Sequence, residues 1–203
     1  MSLLKEITRI KNLMLIKEEK NKTNLFDDFD LSEFKNIPPP KNDSEKTKKE
    51  LEYLKSINLK KRFVQEKDDI VDNFNKFLKS KEIDDKKFIK KLKKDARKVI
   101  QELKSHYKRP RPFVLDPKLK DVMLDSMVGY AYPSGHSTQA HLLYYYLIEK
   151  YPKYKKDFKQ ITDDIVFSRQ MARAHYPSDI EFGKKLAKSM YDHVKKNGVI
   201  SKN

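Results

Sequence analysis

The sequence predicts an all-α fold, a single-domain helical bundle. Three observations carry that expectation. Apolar residues recur at intervals of three and four in one segment after another, the period of a helix with one buried face. The β-branched residues are scattered, and no run of them reads as a strand. Eleven Tyr and eleven Phe in 203 residues supply bulky core material for one domain.

The elements follow in order. Leu3, Ile7, Ile10 and Met14 mark an N-terminal amphipathic segment. A polar stretch leads to Pro38-Pro39-Pro40, which no helix crosses. Asp43 or Ser44 can cap the next helix, whose apolar stripe is Leu51, Leu54 and Ile57. Phe63, Ile70, Phe74, Phe77 and Leu78 mark another. Phe88, Leu92, Ala96, Val99, Leu103 and Tyr107 trace a long helix that Pro110 and Pro112 must end. After a loop containing Asp116-Pro117 and Gly129, a helix is expected from Gly135 to about Lys150. The next is expected over Phe158 to Ala174, stopping before Pro177. A last helix opens on Ser178-Asp179-Ile180-Glu181, which fits a capping box, and carries Leu186, Met190 and Val194. Residues 1–36 read as an N-terminal helical and polar extension, 37–195 as the main domain, and 196–203 as a flexible tail.

Composition narrows the function. With no Cys, a disulfide scaffold, a zinc-thiolate site and a thiol nucleophile are excluded together. No window approaches eighteen consecutive apolar residues, so no membrane span is expected. The first twenty residues carry charges throughout and lack the apolar stretch of a secretory signal. The expectation is a cytoplasmic protein as written, or a periplasmic or secreted one if a signal has been trimmed.

Charge points to an anionic partner. The formal net charge is +16, and twelve basic against two acidic residues lie between Lys86 and Arg111. By contrast, Ser126 to Ile148 contains no Asp, Glu, Lys or Arg. In so charged a chain, that island suggests a buried or substrate-lining segment.

Three clusters carry chemistry. The first runs Lys104-Ser105-His106-Tyr107-Lys108-Arg109-Pro110-Arg111-Pro112, and the second is Tyr132-Pro133-Ser134-Gly135-His136-Ser137. The third runs from Ser168-Arg169 through Arg173 and His175 to Asp179. Of seven Arg in the chain, Arg109, Arg111, Arg169 and Arg173 fall in these clusters, although with thirty-nine Lys the chain normally supplies charge by Lys. Arg grips phosphate oxygens with a planar fork, and Lys offers only a mobile point charge. Pro133-Ser134-Gly135-His136 places a loop ahead of a helix start, where unpaired N–H groups and the dipole favour an anion. Alone, the tetrapeptide is equally an ordinary helix start with a surface His. His175 and Asp179 can orient an imidazole as nucleophile or base, or simply tie two helices together.

Together the clusters spell Lys-x6-Arg-Pro, Pro-Ser-Gly-His and Ser-Arg-x5-His-x3-Asp, eleven fixed positions from Lys104 to Asp179. This resembles the signature of the type-2 phosphatidic acid phosphatase superfamily, which includes vanadium haloperoxidases. Within it the chain looks most similar to soluble class A bacterial non-specific acid phosphatases, with Ile37-Pro38-Pro39-Pro40 resembling the proline-rich start of that domain.

The resemblance implies a metal-independent phosphomonoesterase with no cofactor, acting on a small phosphorylated substrate. Lys104, Arg111 and Arg169 would bind phosphate oxygens, helped by Ser134 and the Gly135 N–H. His175 would attack phosphorus, with Asp179 orienting it. His136 would protonate the leaving group and then activate water. Soluble relatives commonly oligomerise, so a homo-oligomer is compatible with the resemblance.

Arg173 departs from the pattern, which usually has a small residue there; the reading favoured is an outward, solvated side chain over one at the pocket mouth. His106, His141 and His193 read as structural or surface residues. The alternatives are a vanadium-dependent haloperoxidase-like enzyme and a basic nucleic-acid-binding helical protein. The second is disfavoured because Lys104 and Arg111 already belong to the phosphate site and the other lysines alternate with the apolar stripe.

Overall fold

The computed structural model describes residues 24–199. The amphipathic segment expected over Leu3–Met14 lies outside the described residues. Within them the fold is all-α, with no strand. Nine α-helices follow in order: α1 Ser32–Lys35, α2 Glu45–Ser56, α3 Lys61–Glu66, α4 Ile70–Ser80, α5 Lys86–Tyr107, α6 Pro112–Leu115, α7 Gly135–Lys150, α8 Lys155–Met171 and α9 Pro177–Lys196. No helix among the described residues is long and apolar enough to cross a membrane.

The uncharged island becomes the centre of the bundle. Helix α7 packs against α9, α8 and α5, and its Ala140, Leu142, Leu143 and Leu147 are fully buried. A helix surrounded on three sides has little room for a charge that would lose its hydration. The main core joins these residues to Leu92, Ala96 and Leu103 of α5, Phe158 and Ile165 of α8, and Leu186, Met190 and Val194 of α9. Phe26, Leu31 and Phe34, ahead of residue 37, are buried in the same core. A second apolar cluster, with Leu54, Val64, Met127, Met171 and Tyr176, packs α2 and α3 against the loops around the motifs.

Three boundaries differ from expectation. The segment carrying Phe63 to Leu78 is two helices, because Asp69 caps α4 by accepting from the Asp72 N–H at 3.0 Å. The break at residues 67–69 carries Asp68. Helix α8 stops at Met171 because Arg173 takes a left-handed backbone (φ 52°), and the Ala174 N–H turns back to the Arg169 carbonyl at 2.9 Å. Helix α9 starts at Pro177, whose missing N–H costs nothing in a first turn. Its capping carboxylate is Asp179, which accepts from the Tyr176 N–H at 2.9 Å; Ser178 is not the cap.

One glycine joins the two helix starts that matter most. A Cβ on Gly183 would lie 2.9 Å from the Ser134 carbonyl oxygen and 3.1 Å from the Ser137 Cβ. The start of α7 therefore presses directly on α9. Across that contact the Ser134 N–H donates to the Asp179 carbonyl at 3.0 Å, and the Ser137 hydroxyl to the Ile180 carbonyl at 2.8 Å. This fixes Gly135-His136 beside His175 and Asp179.

Candidate active site

Each motif reaches the site from a helix end. Helix α5 presents Lys104 in its last turn, then stops at Lys108, which adopts φ 50°. The chain doubles back so that the Arg109 carbonyl accepts from the Ala131 N–H at 2.9 Å, and Arg111 immediately precedes α6. Ser134 caps α7, its hydroxyl accepting from the Ser137 N–H at 3.3 Å. His175 sits in the short turn between α8 and α9.

Five of the expected residues line one cavity of about 560 Å³: Lys104, Arg111, Gly135, His136 and His175. Ser134, Arg169 and Asp179 are buried behind that wall.

The His175 ring divides the site into a back and a front. Behind it, Nδ1 lies 3.5 Å from Asp179 Oδ2, within ion-pair reach but without a hydrogen bond. Asp179 Oδ1 accepts from Arg109 at 2.6 Å, and Arg109 also reaches Glu50 at 3.2 Å and Ser178 at 2.8 Å. Glu50 in turn accepts from the Ser178 N–H at 2.6 Å. Arg109 stacks on the Tyr176 ring, 3.8 Å from its centroid.

In front, His175 Nε2 faces Arg111 at 3.3 Å. Arg111 is spent on carbonyls: it donates to Gly129 at 3.0 Å, Ala174 at 2.9 Å and Val128 at 3.2 Å. Lys104 donates to the Tyr130 carbonyl. Neither cation meets a carboxylate oxygen within 4 Å among the described residues.

The electrostatics follow from that division. Burial, then the charges of Arg111, Lys104, His136 and Arg169, hold His175 well below the ordinary histidine value, so the ring is neutral. Burial and the neighbouring Arg111 lower Lys104, against the pull of Asp179. Burial raises Asp179, against Arg109 and the Tyr176 N–H. Lys104 and Arg111 are thus crowded together without an ion-pair partner of their own among the described residues, while the cavity carboxylate Asp68 is paired with Arg169 and His136.

Asp68 joins the site although the sequence motifs do not include it. It lines the cavity, accepts from Arg169 at 2.5 Å and from Ser126 at 2.6 Å, and lies 3.1 Å from His136 Nε2. Burial opposes its ionisation, but the hydrogen bonds from His136 and Ser126 and the Arg169 charge hold it well below the carboxylate range. His136 is lowered by its burial, partly offset by Asp68. Arg169 is thus turned to Asp68, with further donation to the Val64 carbonyl at 3.2 Å. The break between α3 and α4 was the available signal for Asp68. For Arg109, the signal was its place in the first cluster.

Arg173 requires a correction. It is neither solvated nor at the cavity wall: it is buried, donating to the Met171 carbonyl at 2.6 Å and the Ile57 carbonyl at 3.0 Å, and lies 3.3 Å from Asp121. The helix ends before it, so its side chain turns toward α2. His141 is buried beside Ser137, and His193 and His106 contact Asp28 and the Lys35 carbonyl away from the site.

The helix ends of the bundle thus converge on a neutral histidine beside two buried cations that no carboxylate among the described residues pairs. Residues 96–187 match the family model described as the PAP2 superfamily, which spans Asp95's neighbour Ala96 through α7 and most of α9. The match covers every expected site residue from Lys104 to Asp179, and supports the superfamily and phosphatase-type hydrolytic chemistry. None of the curated proteins compared with the chain matches it.

Proposed function

We propose that the chain is a phosphomonoesterase that works without a metal ion, through a phosphohistidine on His175, in the manner of the class A acid phosphatases. The observation that carries this reading is the two-sided environment of His175. Its Nδ1 faces Asp179 at 3.5 Å, and its Nε2 faces the cavity beside Arg111 at 3.3 Å. A proton on Nδ1 leaves Nε2 with its lone pair, which accepts from Arg111 and can attack once Arg111 turns to the phosphate oxygens.

In the first step Nε2 forms a bond to phosphorus, and the P–O bond to the leaving group breaks with its electron pair. Protonated His136 gives that oxygen its proton. In the second step His136 takes a proton from water, whose oxygen attacks phosphorus and breaks the P–N bond. Inorganic phosphate leaves, and His175 returns to its starting state. Lys104, Arg111 and the Gly135 N–H stabilise the charge on the three remaining oxygens. Arg169 and Ser134 support the same pocket from behind.

The test is hydrolysis of an aryl phosphate by chain treated exhaustively with chelator. Activity should persist and be inhibited by vanadate, which adopts the five-coordinate geometry of the transition state. Activity lost to chelation and restored by Mg²⁺ or Zn²⁺ would contradict the mechanism.

A further inference from the structure

The cavity does not end at the phosphate pocket. Its wall continues along α5 through Gln101, Arg97 and Lys93, and Gln139 of α7 faces them. Beyond it lies a second hollow of about 490 Å³, lined by the same Lys93, Arg97 and Gln139 and by Lys86, Lys90 and Lys94. Lys86, Lys90, Lys93, Arg97 and Lys104 follow the spacing of one helix face. The Gln139 amide donates to the Lys93 carbonyl at 2.9 Å, fixing α7 against that face.

The other side of the same helix is neutralised. Lys91 pairs with Asp95 at 2.5 Å, Lys98 with Asp27 at 2.7 Å, and Glu102 with Lys35 at 2.7 Å. Among the described residues, the groove cations Lys86, Lys90, Lys93, Lys94 and Arg97 make no ion pair of this kind. Two carboxylates share the groove, Asp69 and Asp72. Asp72 is paired with Lys76 at 2.9 Å, and the Asp69 side chain caps α4. Asp68 and Asp125 line the inner cavity, with Asp68 held by Arg169. Five cations therefore outnumber the carboxylates that face them.

We propose that Lys93 and Arg97, with Gln139, form a second phosphate subsite, so that the preferred substrate is a linear oligophosphate or a compound carrying a comparable second phosphate. The proposal rests on the phosphatase reading for the scissile end. Arg97 is two helical turns from Lys104, about 10 Å along the axis. A single phosphate cannot bridge that span, whereas a short phosphate chain can lie along the groove with its end at His175. Five cations along one wall fit a chain of repeated negative charge better than one terminal group.

The experiment combines binding and turnover. Binding of linear tetraphosphate and of inorganic phosphate is measured by calorimetry on the His175→Ala chain, which cannot turn the ligand over. Tetraphosphate should bind at least tenfold more tightly, and Lys93→Gln/Arg97→Gln in that background should remove most of the advantage. Lys91→Gln/Lys98→Gln removes the same charge from the opposite face and should leave the advantage in place. Equal affinity for the two ligands, or equal losses in the two double variants, would overturn the subsite. An oligonucleotide without a terminal phosphate that competes as well as tetraphosphate would reassign the groove to nucleic acid and also overturn it.

Turnover separates the two proposals. Wild-type chain that binds tetraphosphate selectively but hydrolyses neither it nor an aryl phosphate keeps the subsite and defeats the phosphatase reading. Hydrolysis of the aryl phosphate without selective tetraphosphate binding does the reverse.

Discussion

Arg109 and Arg111 are two residues apart, equally buried, and opposite in their chemistry. Arg109 lies behind His175 and is matched by two carboxylates, Asp179 and Glu50. Arg111 lies in front and meets only carbonyls and the imidazole. A buried charge with its partners in place fixes geometry; a buried charge without one is held ready for an anion. On the proposed mechanism, the difference separates the part of the site that builds the nucleophile from the part that receives the phosphate.

The largest expected effect comes from breaking the back. Arg109→Met leaves Asp179 and Glu50 buried and unpaired, a loss of about 3–5 kcal/mol by the usual cost of breaking such a pair. Denaturant unfolding should show it directly, and activity should be lost with it. A stable, active variant would mean that the ion-pair cluster does not position His175.

Breaking the front should separate activity from stability. Arg111→Lys keeps the charge but loses the fork, and kcat/KM for an aryl phosphate should fall about 10²–10³-fold, as for removal of a preorganised donor. Its unfolding free energy should change much less than that of Arg109→Met. Comparable stability losses would show that the two arginines do the same structural work.

A smaller effect sharpens the comparison by pH. In the proposed mechanism His175 must be neutral to attack, and burial holds it well below its ordinary value. His136 must be protonated in the first step, and its lowered value means that this form is lost as pH rises, before the ordinary histidine range is reached. Activity should therefore peak on the acid side and fall at neutral pH. Asp68→Asn removes an influence that raises His136, so the alkaline limb of kcat/KM should move to still lower pH. A limb that stays fixed in that variant would uncouple Asp68 from the acid.

What the sequence makes legible tracks how far apart the partners lie. Lys104 and Arg111 sit at the end of one helix, Ser134 to His136 start another, and His175 and Asp179 flank one turn. Those placements need only helix periodicity and stop signals. The partners of these residues depend on packing between distant segments: Asp68 is 101 residues from Arg169, and Glu50 is 59 from Arg109. Gly183 illustrates the same limit, since its need for a bare Cα appears only once α7 presses on α9. The outward placement expected for Arg173 needs an unbroken helix through Ala174, whereas the helix ends at Met171 and the left-handed backbone at Arg173 turns the side chain inward.

The division of labour between the two cavity histidines is the central claim, and one labelling experiment tests it. His136→Ala chain is mixed with an aryl phosphate whose electron-poor leaving group needs little protonation. Phosphorylation should proceed and hydrolysis stall, leaving an acid-labile, base-stable phosphoryl adduct on His175, seen as a mass shift on its peptide. The His175→Ala chain should show neither adduct nor turnover. A label on His136, or full activity in His175→Ala, would contradict the assignment and leave His175 and Asp179 as a tie between two helices.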